Sequence, residues 1–180
     1  MADVYIVVYT LLGMLITLPA LLVALNLLLP RVTTRTAQRL SQTPVKSFFM
    51  GLPLVALLSL WIAMTAQAAF GPLRFTAFAA ALFGMGLGTL GAAGLARSLG
   101  ARLEPMLSPA SAMLNLLRGA VVYELACLFP IIGWFLFAPI VGTTVIGAAI
   151  FGIIGWVPTT EATPEPVAAT AINPTLANQR

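Results

Sequence analysis

The sequence predicts an all-α, polytopic membrane protein, and three observations lead there. Of the 180 residues, 60% are hydrophobic and only 8% are charged, where a soluble domain carries about 25% charged residues. The apolar residues come in blocks, several of them reaching the ~20 helical residues that cross a hydrocarbon layer about 30 Å thick. Mean hydropathy is +1.02, which leaves too little polar surface to clothe a water-soluble core. Five transmembrane helices are expected, over residues 4–29, 47–70, 76–96, 109–129 and 134–156. Together they make one helical membrane domain over 1–157, followed by a Pro/Thr/Ala-rich tail over 158–180.

The first block, Val4 to Leu29, makes a helix about 39 Å long, enough to span with tilt. No positive region precedes it, and it outlasts the short apolar core of a cleaved signal, so a retained span is expected. Pro19 predicts a kink, since proline removes a backbone hydrogen bond and crowds the preceding turn. Tyr5 and Tyr9 lie near one end, where amphipathic rings favour the headgroup layer. Pro30 closes the block. The stretch that follows carries Arg31, Arg35, Arg39 and Lys46 and no acidic residue, so the positive-inside rule makes it a cytoplasmic loop. On a helix the three arginines share a face. A guanidinium binds phosphate as a bidentate fork, which makes these four basic residues candidate contacts for anionic lipid or an acidic partner surface. Pro44 is expected to break the segment and Lys46 to mark the edge of the second span, which contains Pro53 and Trp61.

Gly71 to Phe75 reads as a tight link between antiparallel neighbours. The third block then places small residues at Ala80, Gly84, Gly88, Ala92 and Ala96, a repeat of four expected to form one smooth packing stripe. In lipid, apolar burial gives no net drive between helices, and such a stripe lets backbones approach and gain van der Waals contact. Ser108 and Pro109 read as N-cap and first residue of the fourth span. Phe129-Pro130-Ile131-Ile132-Gly133 reads as a turn. Trp134 and Trp156 bracket the last span, about 33 Å apart on a helix, one expected at each water interface. This threading puts the N-terminus outside the cytoplasm and the tail inside. Arg118 would then sit within the fourth span, so the alternative is three full spans plus a re-entrant or interfacial helical hairpin. The tail has no aromatic residue and little apolar patterning, which predicts disorder unless it is bound.

Chemistry is sparse. The chain has no histidine, which excludes histidine-ligated haem or metal; no cofactor is predicted, and lipid or pigment contact through Trp61 and the glycine ladder stays open. Cys127 is the single cysteine, so no intrachain disulfide is possible. The basic residues stand beside apolar blocks rather than in one patch, which speaks against nucleic acid. Gly84, Gly86 and Gly88 follow no strand and so make no dinucleotide fingerprint. With no nucleophile beside a base, no metal-ligand spacing and no phosphate loop, a non-enzymatic protein is expected. Glu124 is the acidic residue inside an apolar block, and an ionisable group there is a functional candidate by default. Arg118, six residues away, lies about 120° around the helix from it and should not pair with it.

Two stretches carry a resemblance. The run Arg35-Thr-Ala-Gln-Arg-Leu-Ser-Gln-Thr-Pro-Val-Lys-Ser-Phe-Phe-Met-Gly-Leu, together with Leu117-Arg-Gly-Ala and Phe129-Pro-Ile-Ile-Gly-Trp, resembles the multi-span membrane region of bacterial bactofilin-like, polymer-forming proteins. The similarity extends from Arg31 to about Trp156. The β-helical polymerising domain is not within these residues, and an additional N-terminal span is, so the resemblance implies a bacterial membrane anchor or scaffold rather than a filament. The expected function is a non-catalytic scaffold or accessory subunit, packed against its own copies or other membrane subunits. The alternative is a small transporter or proton-coupled channel, with Glu124 on the pathway and the broken segment from Pro130 to Gly133 as its cavity.

Overall fold

Proline opens four of the helices. In a computed structural model that describes residues 2–107, 111–129 and 131–156, α2 (Pro30–Gln42) and α3 (Pro44–Ala66) start on proline, and α4 (Gly71–Leu103) and α6 (Ala138–Ile154) carry it second. A proline there loses no intrahelical bond and brings a helical φ with it. The remaining helices are α1 (Ala2–Leu28) and α5 (Ala112–Leu128), with a 3₁₀ turn at Glu104–Met106 and a π-helix at Ile132–Phe137. Among the described residues there is no strand. Four stretches are long and apolar enough to cross a membrane: Val4–Leu28, Pro44–Ala66, Gly71–Met106 and Ile132–Ile154.

Several boundaries differ from the sequence expectation. Residues 31–43, expected as a loop, are mostly helical. Pro44 interrupts this path without ending its hydrogen bonding, since Thr43 N–H donates to Arg39 O at 2.8 Å and Ser47 N–H to Thr43 O at 3.2 Å. The second span therefore begins at Pro44 and stops at Ala66, short of the expected Phe70. Gly71 to Phe75, expected as the link, is the first turn of α4, because Pro72 starts a helix more readily than it bridges two; the link is Gln67 to Phe70. At 33 residues, α4 is about 50 Å long and exceeds one hydrocarbon layer. Helix α5 is capped by Ser111, whose Oγ accepts Leu114 N–H at 3.3 Å. The expected cap, Ser108, and Pro109 lie outside the described residues, as do Pro130 and the 158–180 tail. With 17 residues, α5 reaches about 26 Å and is not among the four long apolar stretches. The expected turn at Gly133 is instead the beginning of the π-helix.

Helix α4 touches each of the other five helices. Its N-terminal part pairs with α3, and its C-terminal part meets α1, α2, α5 and α6. One buried cluster joins Leu22 of α1, Ala92, Ala93 and Ala96 of α4, and Ala120 of α5. A second joins Leu40 of α2 with Val145 and Ala148 of α6. The side chains are small because the backbones are close. A Cβ on Gly100 would overlap the Asn115 carbonyl, and one on Gly119 would overlap the Ala96 carbonyl. The same reciprocal arrangement recurs between α3 and α6, where Gly51 lies on the Thr143 carbonyl and Gly147 on the Ser47 carbonyl. The α3–α6 crossing thus uses two small-xxx-small pairs, Ser47/Gly51 with Thr143/Gly147, and the α4–α5 crossing sets one, Ala96/Gly100, against Gly119 and the Asn115 carbonyl, the geometry that favours helix association in lipid.

Helix α2 is polar yet sits against both α4 and α6, with Thr36 facing Gly94 and Gly152. It is tolerated there because its hydroxyls are satisfied within the helix. Thr33 Oγ1 donates to Leu29 O at 3.2 Å and Thr36 Oγ1 to Val32 O at 2.9 Å, the back-bonding open to threonine in a helix. Two arms extend from this core with little buried surface. No residue from Val4 to Thr17 is buried, and between Leu52 and Thr76 only Thr65 is.

Candidate functional site

Two buried polar side chains among the described residues hold atoms with no hydrogen-bond partner, Glu124 and Asn26. Glu124 is the ionisable one, and the site is built around it. Its helix, α5, buries Asn115, Gly119, Ala120 and Glu124, which are four, one and four residues apart and so share a face. The close crossing at Gly119 presses that face inward, and Glu124, one turn beyond Ala120, is carried in with it. Only 3% of Glu124 is exposed. Both carboxylate oxygens lack a hydrogen-bond partner.

Glu124 lines a cavity of about 130 Å³ together with Leu11, Met14 and Leu18 of α1, Cys127 and Leu128 of α5, and Trp134. Trp134 reaches it from the π-helix, a widened turn that recurs at functional sites. Gly133 makes this turn possible: a Cβ there would come within 2.7 Å of Ala126 O and 2.9 Å of Cys127 O. Nearby, the Tyr123 ring lies 6.2 Å from that of Phe137. Arg118 Nη1 donates to Asn115 Oδ1 at 3.3 Å, away from Glu124, as the helical angle between them requires. An ionised carboxyl with neither oxygen bonded is strongly disfavoured in such apolar surroundings. The site is therefore suited to take up a proton, a small cation or a hydrogen-bond donor. No group of three His, Cys, Asp or Glu side chains forms among the described residues. A larger cavity of about 320 Å³ between α2, α4 and α6 is lined mainly by apolar side chains such as Leu40, Leu95 and Val141, and neither Glu124 nor Asn26, with their unpartnered buried atoms, lines it.

The other sequence candidates are scattered. The ladder does not form one stripe. Four residues turn a helix by about 400°, so each step drifts by about 40°, and successive members face different neighbours. A Cβ on Gly84 would meet Leu58 of α3 at 3.7 Å and one on Gly88 would meet Ile146 of α6 at 4.0 Å. Ala80 is half-buried, while Ala92 and Ala96 pack against Leu22 and Ala120. The tightest backbone contacts between helices fall instead at Gly51, Gly91, Gly100, Gly119 and Gly147. The same drift separates the arginines: Arg31 is exposed, Arg35 half-buried and Arg39 buried, with Lys46 exposed. Arg39 Nε donates to Trp156 O at 2.8 Å, and its guanidinium lies 4.4 Å from the Phe151 ring centroid. Tyr5, Tyr9, Trp134 and Trp156 are all exposed, and Trp61 is too.

Asn26 was not singled out by the sequence reading. It is 4% exposed, and its Nδ2 donates to Leu22 O and to Ala93 O, each at 2.9 Å. A signal existed, since Asn26 is the one carboxamide between Val4 and Leu29. Compared with family models, with curated proteins and with solved structures, the chain matches none.

Proposed function

We propose that this protein is a non-catalytic integral membrane scaffold or accessory subunit, docking through its projecting arms onto other membrane subunits or its own copies. The observation that carries this reading is the division of the molecule into a glycine-welded core and two apolar arms. Beyond the core, α3 and α4 cover only one seam of each other. The opposite face of α4 carries Phe75, Phe78, Ala79, Leu82 and Gly86, all exposed. Nothing lies within 4 Å of a Cβ placed on Gly86. Small residues seven apart among aromatic ones, at Ala79 and Gly86, suit the close approach of another helix in lipid. The likeness of residues 31–156 to the membrane region of bactofilin-like proteins is consistent with an anchoring role in a bacterial membrane. Arg31, Lys46, Arg97 and Arg102 gather where α1 ends, α3 begins and α4 ends, whereas Arg74 lies at the opposite end of α4. That asymmetry supports a cytoplasmic α2 side.

The test is Gly86→Trp, which sets an indole where nothing lies within 4 Å of the new Cβ. The natively purified assembly is expected to lose mass, with co-migrating subunits released. An unchanged assembly mass, with the variant folded, overturns the docking reading.

A second reading rests on Glu124. A carboxyl with two bare oxygens beside a cavity is suited to a proton-coupled pathway, so proteoliposome flux is the measurement that separates the readings. Flux that disappears in Glu124→Gln favours transport; flux that is absent, or the same in both proteins, dismisses it.

A further inference from the structure

The described part of the chain ends against α2. Gly155 stands at φ 81° and closes α6 with a left-handed turn, its N–H and that of Trp156 donating to Phe151 O at 3.0 and 3.1 Å. Trp156 O then accepts from Arg39 Nε at 2.8 Å, and a Cβ on Gly155 would meet Arg35 Nη1 at 3.1 Å. Residues 157–180 therefore start beside α2. Away from its buried residues, α2 leaves Arg31 and Gln38 exposed and Arg35 half-buried; spaced four and three apart, they share a face. Residues 30–46 hold four bases and no acid, and among the described residues neither Arg31 nor Arg35 is in an ion pair.

The acid missing there comes further along the chain. Glu161 and Glu165 are the two acidic residues that follow Trp156, five and nine residues beyond it and four apart, the spacing of Arg31 and Arg35. Nine extended residues reach at most about 30 Å, and the 13 residues of α2 make a helix about 20 Å long, so both carboxylates have the whole face within reach. A tether this short also keeps them at a local concentration in the millimolar range, an advantage over an acid on a separate protein.

We propose that the basic face of α2 is the docking surface for this chain's own C-terminal segment, with Glu161 and Glu165 set against Arg31 and Arg35. The acidic partner surface that the arginine spacing calls for is then intramolecular. Held so, the segment covers cations that otherwise meet anionic headgroups, an autoinhibitory contact. Exposed ion pairs are individually weak, which makes the contact reversible and sensitive to salt. The inference does not depend on what docks against the arms or on Glu124.

Disulfide formation between Gln38→Cys and Thr163→Cys, in the full chain with Cys127→Ser and in phosphatidylcholine liposomes, reads the contact. A cross-link within one chain is expected. Glu161→Gln together with Glu165→Gln should slow it about fivefold, the factor appropriate to two exposed ion pairs. Raising the salt from about 0.1 M to about 1 M should slow it similarly, because the Debye length falls from about 10 Å to about 3 Å. Arg31→Glu should slow it as well, and adding Glu161→Arg should restore the rate, a rescue that damage to the fold does not give. A cross-linked dimer in place of the monomer assigns the segment to a neighbouring copy and overturns the proposal. A rate that is the same with and without the two carboxylates overturns it too, and leaves the arginines to lipid.

Discussion

Arg39 shows how a residue chosen for its charge can serve the inside of a membrane protein. The residue is 5% exposed, and its guanidinium holds the carbonyl of Trp156 and lies over the Phe151 ring, so it ties the end of α6 to α2. Lysine has neither the planar fork nor the ring-stacking surface. Arg39→Lys should destabilise the protein by about 1–3 kcal/mol, seen as a lower thermal midpoint in detergent; an unchanged midpoint would show that the bond contributes nothing. At Gly119 the effect is steric. Gly119→Val drives a branched side chain into the Ala96 carbonyl and should lower stability by about 1–3 kcal/mol or more. By contrast, Gly13→Ala, with nothing within 4 Å of its new Cβ, should be neutral or slightly stabilising because alanine is the better helix former. Identical melting of the Gly119 and Gly13 variants would refute the crossing. Sequence alone exposed Glu124, because a lone acid in an apolar run is visible locally. It could not rank the glycines, because which one touches another backbone depends on the partner helix and not on its own neighbours.

At the scale of elements, the apolar blocks were legible because hydropathy is a local property of about 20 residues. The placement of α2 was not. A short helix rich in Thr, Gln and Arg has the composition of a surface loop, and only the internal bonding of its hydroxyls lets it lie among apolar helices. The starts of α3 and α4 differ from the expected ones because Pro44 and Pro72 each open a helix, where a proline costs no intrahelical bond. The ladder on α4 is visible in the sequence, but its course is not that of one stripe: a period of four winds slowly around a helix of 3.6 residues per turn. That winding makes α4 sensitive to register. One alanine inserted between Leu87 and Gly88 turns everything beyond it by about 100° and takes Ala92, Ala96 and Gly100 away from their partners. The expected result is loss of a monodisperse peak on size exclusion in detergent. The same insertion at Ala69, in the link between α3 and α4, should leave the elution profile unchanged. If both proteins behave alike, the winding contact is not what organises the bundle.

For the whole molecule, the four long apolar stretches lead to the expectation that the protein stays with membranes through an alkaline carbonate wash; release into the supernatant would contradict it. Sidedness can be read in a Cys127→Ser background. Ser41→Cys on α2 and Ala69→Cys in the α3–α4 link should react with a membrane-impermeant maleimide from opposite faces, since α3 runs between them. Labelling of both from one face would mean that this helix does not cross. The two glycine crossings carry a mechanical consequence as well. Where backbone rests directly on backbone, no side chain can swing to a new rotamer and ease a sliding motion. Each crossing is therefore either seated or parted, with no graded positions between, and any working stroke of the molecule has to pivot in the arms while these two welds stay shut.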